Sequence, residues 1–214
     1  DKIFFRSRNF DYISQNLIDL TIQTPANRIF EALNTYSESS EVRYVGGCVR
    51  KVIKKQIVDD IDLATNLKPS EVCDALKKKE INFYETGIDH GTITAIIDKY
   101  KYEITSLRKD VSTDGRHAKV EFSSDWKEDA ARRDFSINSI YSDKDGNLFD
   151  PYDGKKDLES GNINFIGDAE NRIKEDYLRI LRYVRFFINY SNQSHNPKII
   201  KIIKKNIGGV SRLS

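Results

Sequence analysis

The feature that most constrains this chain is a segment that places two glycines and two aspartates at fixed spacing. It runs as a predicted strand, a glycine pair, a predicted helix and a second predicted strand: residues 43–45, Gly46-Gly47, residues 48–55 and residues 57–65. Successive side chains of a strand point to opposite faces, so Asp60 and Asp62 project from one face, about 7 Å apart. The chain must therefore bring a carboxylate pair close to a glycine turn.

Two carboxylates on one strand face repel each other, and without a counter-ion one of them would take up a proton. A divalent cation held by Asp60 and Asp62 would remove the repulsion and create a reactive site, although acidic pairs at strand ends are often merely solvated. Asp59 faces the opposite side and is the weaker candidate ligand. Glu103, on a neighbouring predicted strand, is either a third catalytic carboxylate or an exposed cross-strand acid.

The glycine pair predicts a phosphate site beside the carboxylates. Gly46 and Gly47 let backbone N–H groups approach a triphosphate, and the helix that follows offers its positive end. Arg50 lies one turn into that helix and can reach the same phosphates. A glycine pair alone is a weak signal, but it is much stronger when it precedes a strand that carries two aspartates.

The rest of the chain alternates between helical and strand patterns. Helices are predicted at 11–39 with a break at Pro25, 70–79, 127–141, 168–190 and from Pro197 to Gly208-Gly209. Strands are predicted at 92–98 and 100–107, which form a hairpin, and after a turn within 143–150. The polar stretch 109–125 is interpreted as a mobile loop with a turn at Asp114-Gly115.

Two basic segments carry further candidates. In ARRDFSINS, Arg132 and Arg133 precede Asp134, which shares a predicted helix face with Asn138. Arg133 could clamp a phosphate and Asn138 could bind a sugar hydroxyl, whereas the simpler interpretation is a salt-bridged surface helix.

In EDYLRILRYVRF, the helical wheel groups four apolar side chains and places three arginines opposite them: Tyr177, Ile180, Leu181 and Val184, against Arg179, Arg182 and Arg185. Asp176 lies at the boundary, one turn from Arg179. An acceptor beside a donor fork could read the base edge of C or A and reject G and U. The alternative is an intrahelical salt bridge.

Composition limits the function classes. The net charge is only +2, but Lys and Arg cluster at 50–55, 77–79, 172–185 and 198–205, where they form either solvated faces or phosphate-binding stripes. Cysteine and histidine spacing fits no zinc site, so a metal would be hard and oxygen-bound. No apolar run approaches the length of a membrane span, and residues 1–12 lack a signal-peptide core, which predicts a cytoplasmic protein without membrane contact.

Taken together, these residues resemble the class II tRNA nucleotidyltransferases (CCA-adding enzymes) and the bacterial poly(A) polymerases of the same family, within the DNA polymerase β superfamily. The matching segments run in family order over residues 43–190: YVGGCVRK–DDIDLAT, HGTITA, YEITSLRKDVSTDGRHAKVEF, DAARRDFSINSIY, DGNLFDPYDGKKDL and IGDAENRIKEDYLRILRYVRF. The resemblance implies an α+β fold: a nucleotidyltransferase head at 1–160, with a mixed β-sheet flanked by helices, and an all-α neck at 161–214.

The resemblance also implies roles for single residues. Asp60 and Asp62 match the Mg²⁺ ligands, and the remaining candidates match nucleotide contacts: Gly47, Arg50, Arg132, Arg133, Asp134, Asn138, Asp176, Arg179, Arg182 and Arg185. DVSTDGRHA resembles the flexible loop that full CCA-adding enzymes use when they switch from C to A. One departure is Lys51, where the family usually has Asp, and it puts helix packing in doubt.

The implied activity is addition of C, C and A to the 3′ end of tRNA from CTP and ATP, with two Mg²⁺ ions. Alternatives are a poly(A) polymerase that adds AMP to RNA 3′ ends, a catalytically silent RNA-binding module, or half of a split enzyme. Family members are about twice as long, so the chain is expected to stop before the body and tail domains that grip tRNA.

Overall fold

The structure, a computed structural model, describes residues 11–213 of the 214. These residues form nine α-helices: α1 Tyr12–Gln23, α2 Ala26–Asn34, α3 Gly47–Ile53, α4 Pro69–Lys78, α5 Trp126–Ala131, α6 Gly154–Ser160, α7 Ala169–Glu175, α8 Leu178–Tyr190 and α9 Pro197–Asn206. They also form nine strands: β1 Val42–Val45, β2 Ile61–Thr65, β3 Asn82–Gly87, β4 Thr92–Ile97, β5 Tyr100–Ser106, β6 Arg108–Thr113, β7 Ala118–Phe122, β8 Tyr141–Ser142 and β9 Leu148–Phe149. Residues 1–10, which we assigned to the head and where no signal peptide is predicted, lie outside the described residues.

Seven strands form one mixed sheet in the order β3-β4-β5-β2-β1-β8-β9, in which β2 and β5 are parallel and the other neighbours antiparallel. The predicted mixed sheet flanked by helices is therefore confirmed. One sheet face is buried under α1–α4, with a core that includes Leu63, Ile93 and Ile104. Alternation turns Asp62 and Glu103 to the opposite face, so the catalytic candidates lie away from this core.

The helical layer is fixed to the sheet by aromatic packing and a buried hydrogen bond. Tyr44 of β1 is fully buried, its ring lies 4.9 Å from that of Phe30 on α2, and its hydroxyl lies 2.7 Å from the Thr21 hydroxyl on α1. A buried phenol needs such a partner, because an unmade hydrogen bond in the core costs about 1–3 kcal/mol. The two N-terminal helices thereby set the position of β1 and of the glycine turn that follows it.

The segment predicted as a helix over 127–141 is different in the structure. Helix α5 ends at Ala131, a 3₁₀ turn covers Ser136–Asn138, and β8 follows. The reason is nonlocal: the Ser136 N–H donates to the Asn164 carbonyl at 3.0 Å, and the Asp134 carbonyl accepts from Ile166 N–H at 2.9 Å. These bonds replace the helical ones.

Other boundaries also differ from the prediction. Residues 109–125 were expected to form a loop, but β6 and β7 pair there as an antiparallel hairpin. The predicted helix 168–190 is broken at Asp176, because the Tyr177 N–H donates to the Gly115 carbonyl of that hairpin at 2.9 Å. The strand predicted from residue 57 begins only at Ile61. Strand β3 and helix α6 were not predicted.

After α6, the described chain continues in the helices α7, α8 and α9. This unit is bonded directly to the preceding part. Arg182 of α8 donates to the Asp134 carboxylate at 2.5 Å, and Arg172 of α7 donates to the Arg133 carbonyl at 2.9 Å. Among residues 11–213, no helix combines the length and apolar character that a membrane crossing needs.

Gly154 offers a test of how α6 supports the 3₁₀ turn. A Cβ at this position would lie 2.1 Å from the Ser136 carbonyl oxygen and 2.8 Å from an Ile140 side-chain carbon. We expect Gly154→Ala to destabilise the protein by about 1–3 kcal/mol, since the backbones must separate. Urea unfolding monitored by circular dichroism measures the loss. Gly208→Ala is the matched control, because a Cβ there meets no atom within 4 Å; equal stability of the two variants would contradict the expectation.

Candidate active site

Asp62 and Glu103 are directly opposite each other on the parallel strands β2 and β5. With Asp60, which is exposed and lies one residue before β2, they line one cavity on the open sheet face. Burial, Glu103 and Asp60 raise the pKa of Asp62 to about 6. Asp59 points elsewhere and forms an ion pair with Lys51. The three carboxylates predicted to act together are therefore gathered at one place, and Asp59 is separate from them.

The chemistry of this donor set fits a hard divalent cation. All donors are carboxylate oxygens, and repulsion already raises the pKa of Asp62, which a bound cation would reverse. Within residues 11–213, no group of three or more His, Cys, Asp or Glu side chains is close enough to hold an ion alone. Mg²⁺ usually takes one or two carboxylates together with substrate phosphates and water. Two aspartates together with the phosphates of a bound nucleotide would match this preference.

The glycine turn brings backbone and guanidinium groups beside the carboxylates. Gly46 has φ +67° and ψ −123°, a conformation that essentially requires glycine, and it precedes α3. Arg50, one turn into α3, is buried and donates to the Asn138 side-chain oxygen. Its guanidinium lies 4.9 Å from the centre of the Phe186 ring, and its Nε has no partner among the described residues. Arg50 is thus fixed in place while its Nε–H donor is unpaired within the described residues.

Arg132 and Arg133 are held by a residue that the sequence analysis missed. Asp129, on α5, is 1% exposed and accepts from Arg132 and Arg133 at 3.2 Å each and from the Tyr141 hydroxyl at 2.6 Å. Burial opposes its ionisation, but the two arginines keep its pKa below the usual value. For Arg133, burial is likewise outweighed by Tyr141 and Asp129, and its pKa is raised. Asp129 therefore positions two cations above the glycine turn.

Asp134 and Asn138 are in contact, although they do not lie on the α-helix that was predicted for them. The Asn138 side-chain N–H donates to Asp134 at 3.0 Å, and Arg182 donates to the other carboxylate oxygen. Burial disfavours the Asp134 anion, but Arg182 and Asn138 lower its pKa below the usual range. Since Asn138 also accepts from Arg50, the chain Arg50–Asn138–Asp134–Arg182 joins α3, the 3₁₀ turn and α8.

These groups surround a cavity that is rich in arginine and ends at the carboxylates. Its walls bring together most of the predicted site residues: Gly46, Gly47, Arg50, Asp62, Glu103, Arg132, Arg133, Asn138, Arg182 and Arg185. Asp134 does not reach this cavity and acts through Asn138 and Arg182. We call this space the arginine cavity.

A second cavity contains the predicted base-reading pair, Asp176 and Arg179. Arg108 and Arg132 line both this cavity and the arginine cavity, so the two are neighbours. The side chains of Asp176 and Arg179 form no ion pair with each other, contrary to the simple salt-bridge alternative, although the Arg179 backbone N–H donates to the Asp176 carbonyl at 3.1 Å. Asp176 accepts from Arg116 at 3.4 Å, whereas Arg179 donates to Glu175 at 3.1 Å. Asp176 and Arg179 therefore line the same cavity, but their side chains are held by different residues.

The helical-wheel prediction for α8 is wrong in part. Leu181 and Val184, expected in the apolar arc, are 47% and 42% exposed, while Arg179 is buried together with Ile180. The inward face of α8 is instead the stripe of residues 179, 180, 183 and 186. Arg179 is directed inward by hydrogen bonds to the carbonyls of Arg172 and Arg132.

Arg108 is the other site residue that the sequence analysis missed. It begins β6, burial and the nearby Arg132 lower its pKa to about 10, and its buried Nε has no partner in the described part of the chain. A buried cation beside other cations is costly unless an anion joins it. The sequence signal for Arg108 was the strand-like segment YEITSLR, which also contains Glu103. The position of Arg108 beside the site could not be predicted, because the pairing register of β6 is not evident from the sequence.

Comparison with known proteins places the chain in a family. A family model described as the poly(A) polymerase head domain matches residues 42–164, which is more than half of the chain. The chain therefore belongs to the poly(A) polymerase head domain family. This confirms the resemblance, which rests on the glycine turn, the aspartates and the ARRD segment.

The curated relatives and solved structures add a closer likeness. The chain is 43% identical over 180 residues to the CCA tRNA nucleotidyltransferase 1, mitochondrial, of Homo sapiens, covering 83% of this chain and 42% of that protein. It is 41% identical over 148 residues to the CCA-adding enzyme of Lactobacillus johnsonii, covering 68% and 36%. The crystal structure of the Bacillus stearothermophilus CCA-adding enzyme in complex with CTP matches with a TM-score of 0.76 at 29% identity, over 88% of this chain and 44% of that one. The chain spans less than half of each.

The raised pKa of Asp62 means that ionisation of this carboxyl group lowers the stability of the folded protein. Its folded value of about 6 exceeds the ordinary 3.8, so its contribution is intact below about pH 4 and is lost as the pH rises through 6. In EDTA near pH 8, Asp62→Asn should be more stable than wild type by roughly 2 kcal/mol, and the difference should vanish towards pH 4. Thermal unfolding across this range tests it, with the exposed Asp145→Asn as control. A gain independent of pH would contradict burial and charge repulsion as its cause.

Proposed function

We propose that this chain is the catalytic part of an enzyme that adds C, C and A to the 3′ end of tRNA, using CTP and ATP. The observation that carries the proposal is the arginine cavity, which ends at the in-register carboxylates Asp62 and Glu103 and opens beside the Asp176 and Arg179 cavity. Relatives at 41–43% identity are named for this activity.

Asp60 and Asp62 would hold Mg²⁺ together with the nucleotide phosphates. Two such ions, when bound, would lower the pKa of the RNA 3′-hydroxyl and stabilise the leaving pyrophosphate, as in other two-metal transfers. Glu103 lies opposite Asp62 on β5 and adds negative charge at the same point. The carboxylates therefore do not require a separate general base beside them.

The arginine cavity would bind the triphosphate of the incoming nucleotide. The Gly47 N–H lies in the first turn of α3, whereas the Gly46 N–H already donates to the Ile140 carbonyl at 3.3 Å. Arg50 and Arg133 add charge-assisted donors that are already held in position. The α-phosphate would lie next to Asp62, where the RNA 3′ oxygen attacks phosphorus in line and pyrophosphate departs. Asn138, fixed between Arg50 and Asp134, is placed to bind the sugar.

The second cavity would select the base. Asp176 can accept from the exocyclic amino group of cytosine or adenine, and Arg179 can donate to the adjacent ring nitrogen, whereas G and U present the opposite pattern. Arg179 is held by Glu175 and by backbone carbonyls, so its orientation does not depend on the substrate. Arg182 and Arg185 line the arginine cavity rather than this one, which favours a role towards the phosphates and sugar.

We divide the chain into a head over residues 1–160 and a neck over 161–214. The supporting observation is that α6 ends at Ser160 and that only helices follow it in the described residues. A cytoplasmic location stays a prediction, since the human relative is named mitochondrial.

One alternative has a specific observation in its favour. The matching family model is described by poly(A) polymerase, an activity that would use ATP alone and add many residues. The companion segments of CCA-adding enzymes favour CCA addition, as do the names of the relatives. The two activities differ in product, so a single assay separates them.

The decisive assay incubates the chain with tRNA that ends at the discriminator base, Mg²⁺ and each nucleoside triphosphate, singly and together. We expect two additions with CTP and a third with ATP, resolved as single steps on a sequencing gel. Asp60→Ala and Asp62→Ala should each lose incorporation while the fold persists, because the cation loses its ligands. A long A ladder would indicate a poly(A) polymerase, and no product would favour a silent RNA-binding module or half of a split enzyme.

Base selection is tested at Arg179. We expect Arg179→Ala to broaden nucleotide choice, reducing the preference for C over U by about tenfold, because a bidentate base contact is worth about 1–3 kcal/mol of discrimination. Relative kcat/KM for the four triphosphates measures this, with thermal unfolding as a check on the fold. Arg212→Ala, an exposed arginine that lines neither cavity, is the control. Unchanged selectivity would remove the base-reading role.

A further inference from the structure

The carboxylates face two cavities of opposite character. On one side lies the arginine cavity, and on the other lies a space that contains no arginine. Beyond the carboxylates, the wall of this second space is formed by Tyr84, Thr86, Thr94 and Lys101, together with Ile61. We call it the tyrosine cavity. Asp62 and Glu103 line both, so a molecule in each would meet at these two side chains.

The register of the sheet places the tyrosine at a defined distance. Tyr84 of β3 pairs with Thr94 of β4, Thr94 with Glu103 of β5, and Glu103 with Asp62 of β2. These four residues therefore form one row across the open face. Neighbouring strands lie about 4.8 Å apart, so Tyr84 is roughly 10 Å from Glu103 and roughly 14 Å from Asp62 along the row.

Tyr84 has the properties of a stacking surface. Its side chain is 42% exposed although it is large and aromatic, and within the described residues its ring packs against no other aromatic ring. The shared hydrogen bond between the Thr86 and Thr94 hydroxyls, at 2.9 Å, fixes β3 against β4 beside it. Lys101 lies two residues before Glu103 on the same side of β5, is exposed, and forms no ion pair with any residue between 11 and 213.

We propose that the tyrosine cavity receives the 3′ end of the RNA, with a terminal base stacked on Tyr84 and its phosphate near Lys101. The proposal rests on the proposed function, for which it names the primer side of the site. A triphosphate carries several negative charges and belongs with the arginines, whereas a single-stranded RNA end carries one phosphate per nucleotide and is bound by an aromatic ring together with a nearby cation. A base on Tyr84 leaves its 3′-hydroxyl directed along the row towards Asp62.

The test is designed to read RNA placement without any transfer reaction. The probe is a short single-stranded RNA with 2-aminopurine as its 3′-terminal base and a 3′-deoxy end, titrated with the full chain in Ca²⁺. We expect fluorescence to fall as the base stacks on Tyr84. Tyr84→Ala should abolish this quenching and weaken RNA binding by about tenfold, since stacking on one aromatic ring is worth about 1–3 kcal/mol.

Two variants separate stacking from folding. Tyr84→Phe keeps the ring and should retain quenching and affinity, while Tyr152→Ala removes a tyrosine that is 37% exposed and lines neither the tyrosine cavity nor the arginine cavity. In the transfer assay, Tyr84→Ala should raise the KM for RNA and leave the KM for CTP unchanged. Equal quenching by wild type and Tyr84→Ala, or no quenching at saturating wild type, overturns the proposal. Quenching that depends on Tyr84 without nucleotide addition supports this site and counts against the proposed activity instead.

Discussion

The buried carboxylate of Asp134 joins the parts of the site. It accepts from Arg182 on α8 and from Asn138 on the 3₁₀ turn, and Asn138 in turn accepts from Arg50 on α3. A buried charge is tolerated only when it is paired and fully hydrogen-bonded, and removing one partner of such a pair typically costs about 3–5 kcal/mol. The helical part after residue 160 is therefore fixed to the sheet through the same residues that shape the arginine cavity. The proposed nucleotide binding and the contact between the two parts therefore depend on one hydrogen-bonded network.

The arginine cavity carries an electrostatic imbalance that a nucleotide would correct. Arg108 has its pKa lowered to about 10 by burial and by Arg132, while Asp62 has its pKa raised to about 6 by burial and by Glu103. Like charges are thus held together on both sides of the cavity, each at a cost to the folded state. A triphosphate placed between the arginines, with a divalent cation at the aspartates, supplies the missing partner to both groups. Perturbed pKa values of this kind cluster at functional sites.

Local sequence patterns predicted the centre of the site well, because its geometry is local. A glycine pair after a strand and two aspartates two residues apart specify their own conformation, and the structure brings Gly46, Gly47 and Asp62 into one cavity as expected. The errors arose where distant segments supply the hydrogen bonds. Residues 132–138 have the composition of a helix, but their backbone groups bond to Asn164 and Ile166. The β6–β7 hairpin was predicted as a loop because its strands are polar and exposed on most positions.

The position of Lys51 shows how a departure from a family pattern can be absorbed. The resemblance leads to an expectation of Asp here, and a lysine could have disturbed the helix that follows the glycine turn. In the structure, Lys51 instead forms an ion pair with Asp59, at the surface and just before β2. Neither residue lines a cavity that Asp62 lines, and α3 still begins at Gly47 and presents Arg50 inward. An exposed pair of this kind contributes little to stability, so its effect is confined to orienting the segment that leads to Asp60. The glycine turn and the carboxylates therefore keep their positions with lysine at residue 51.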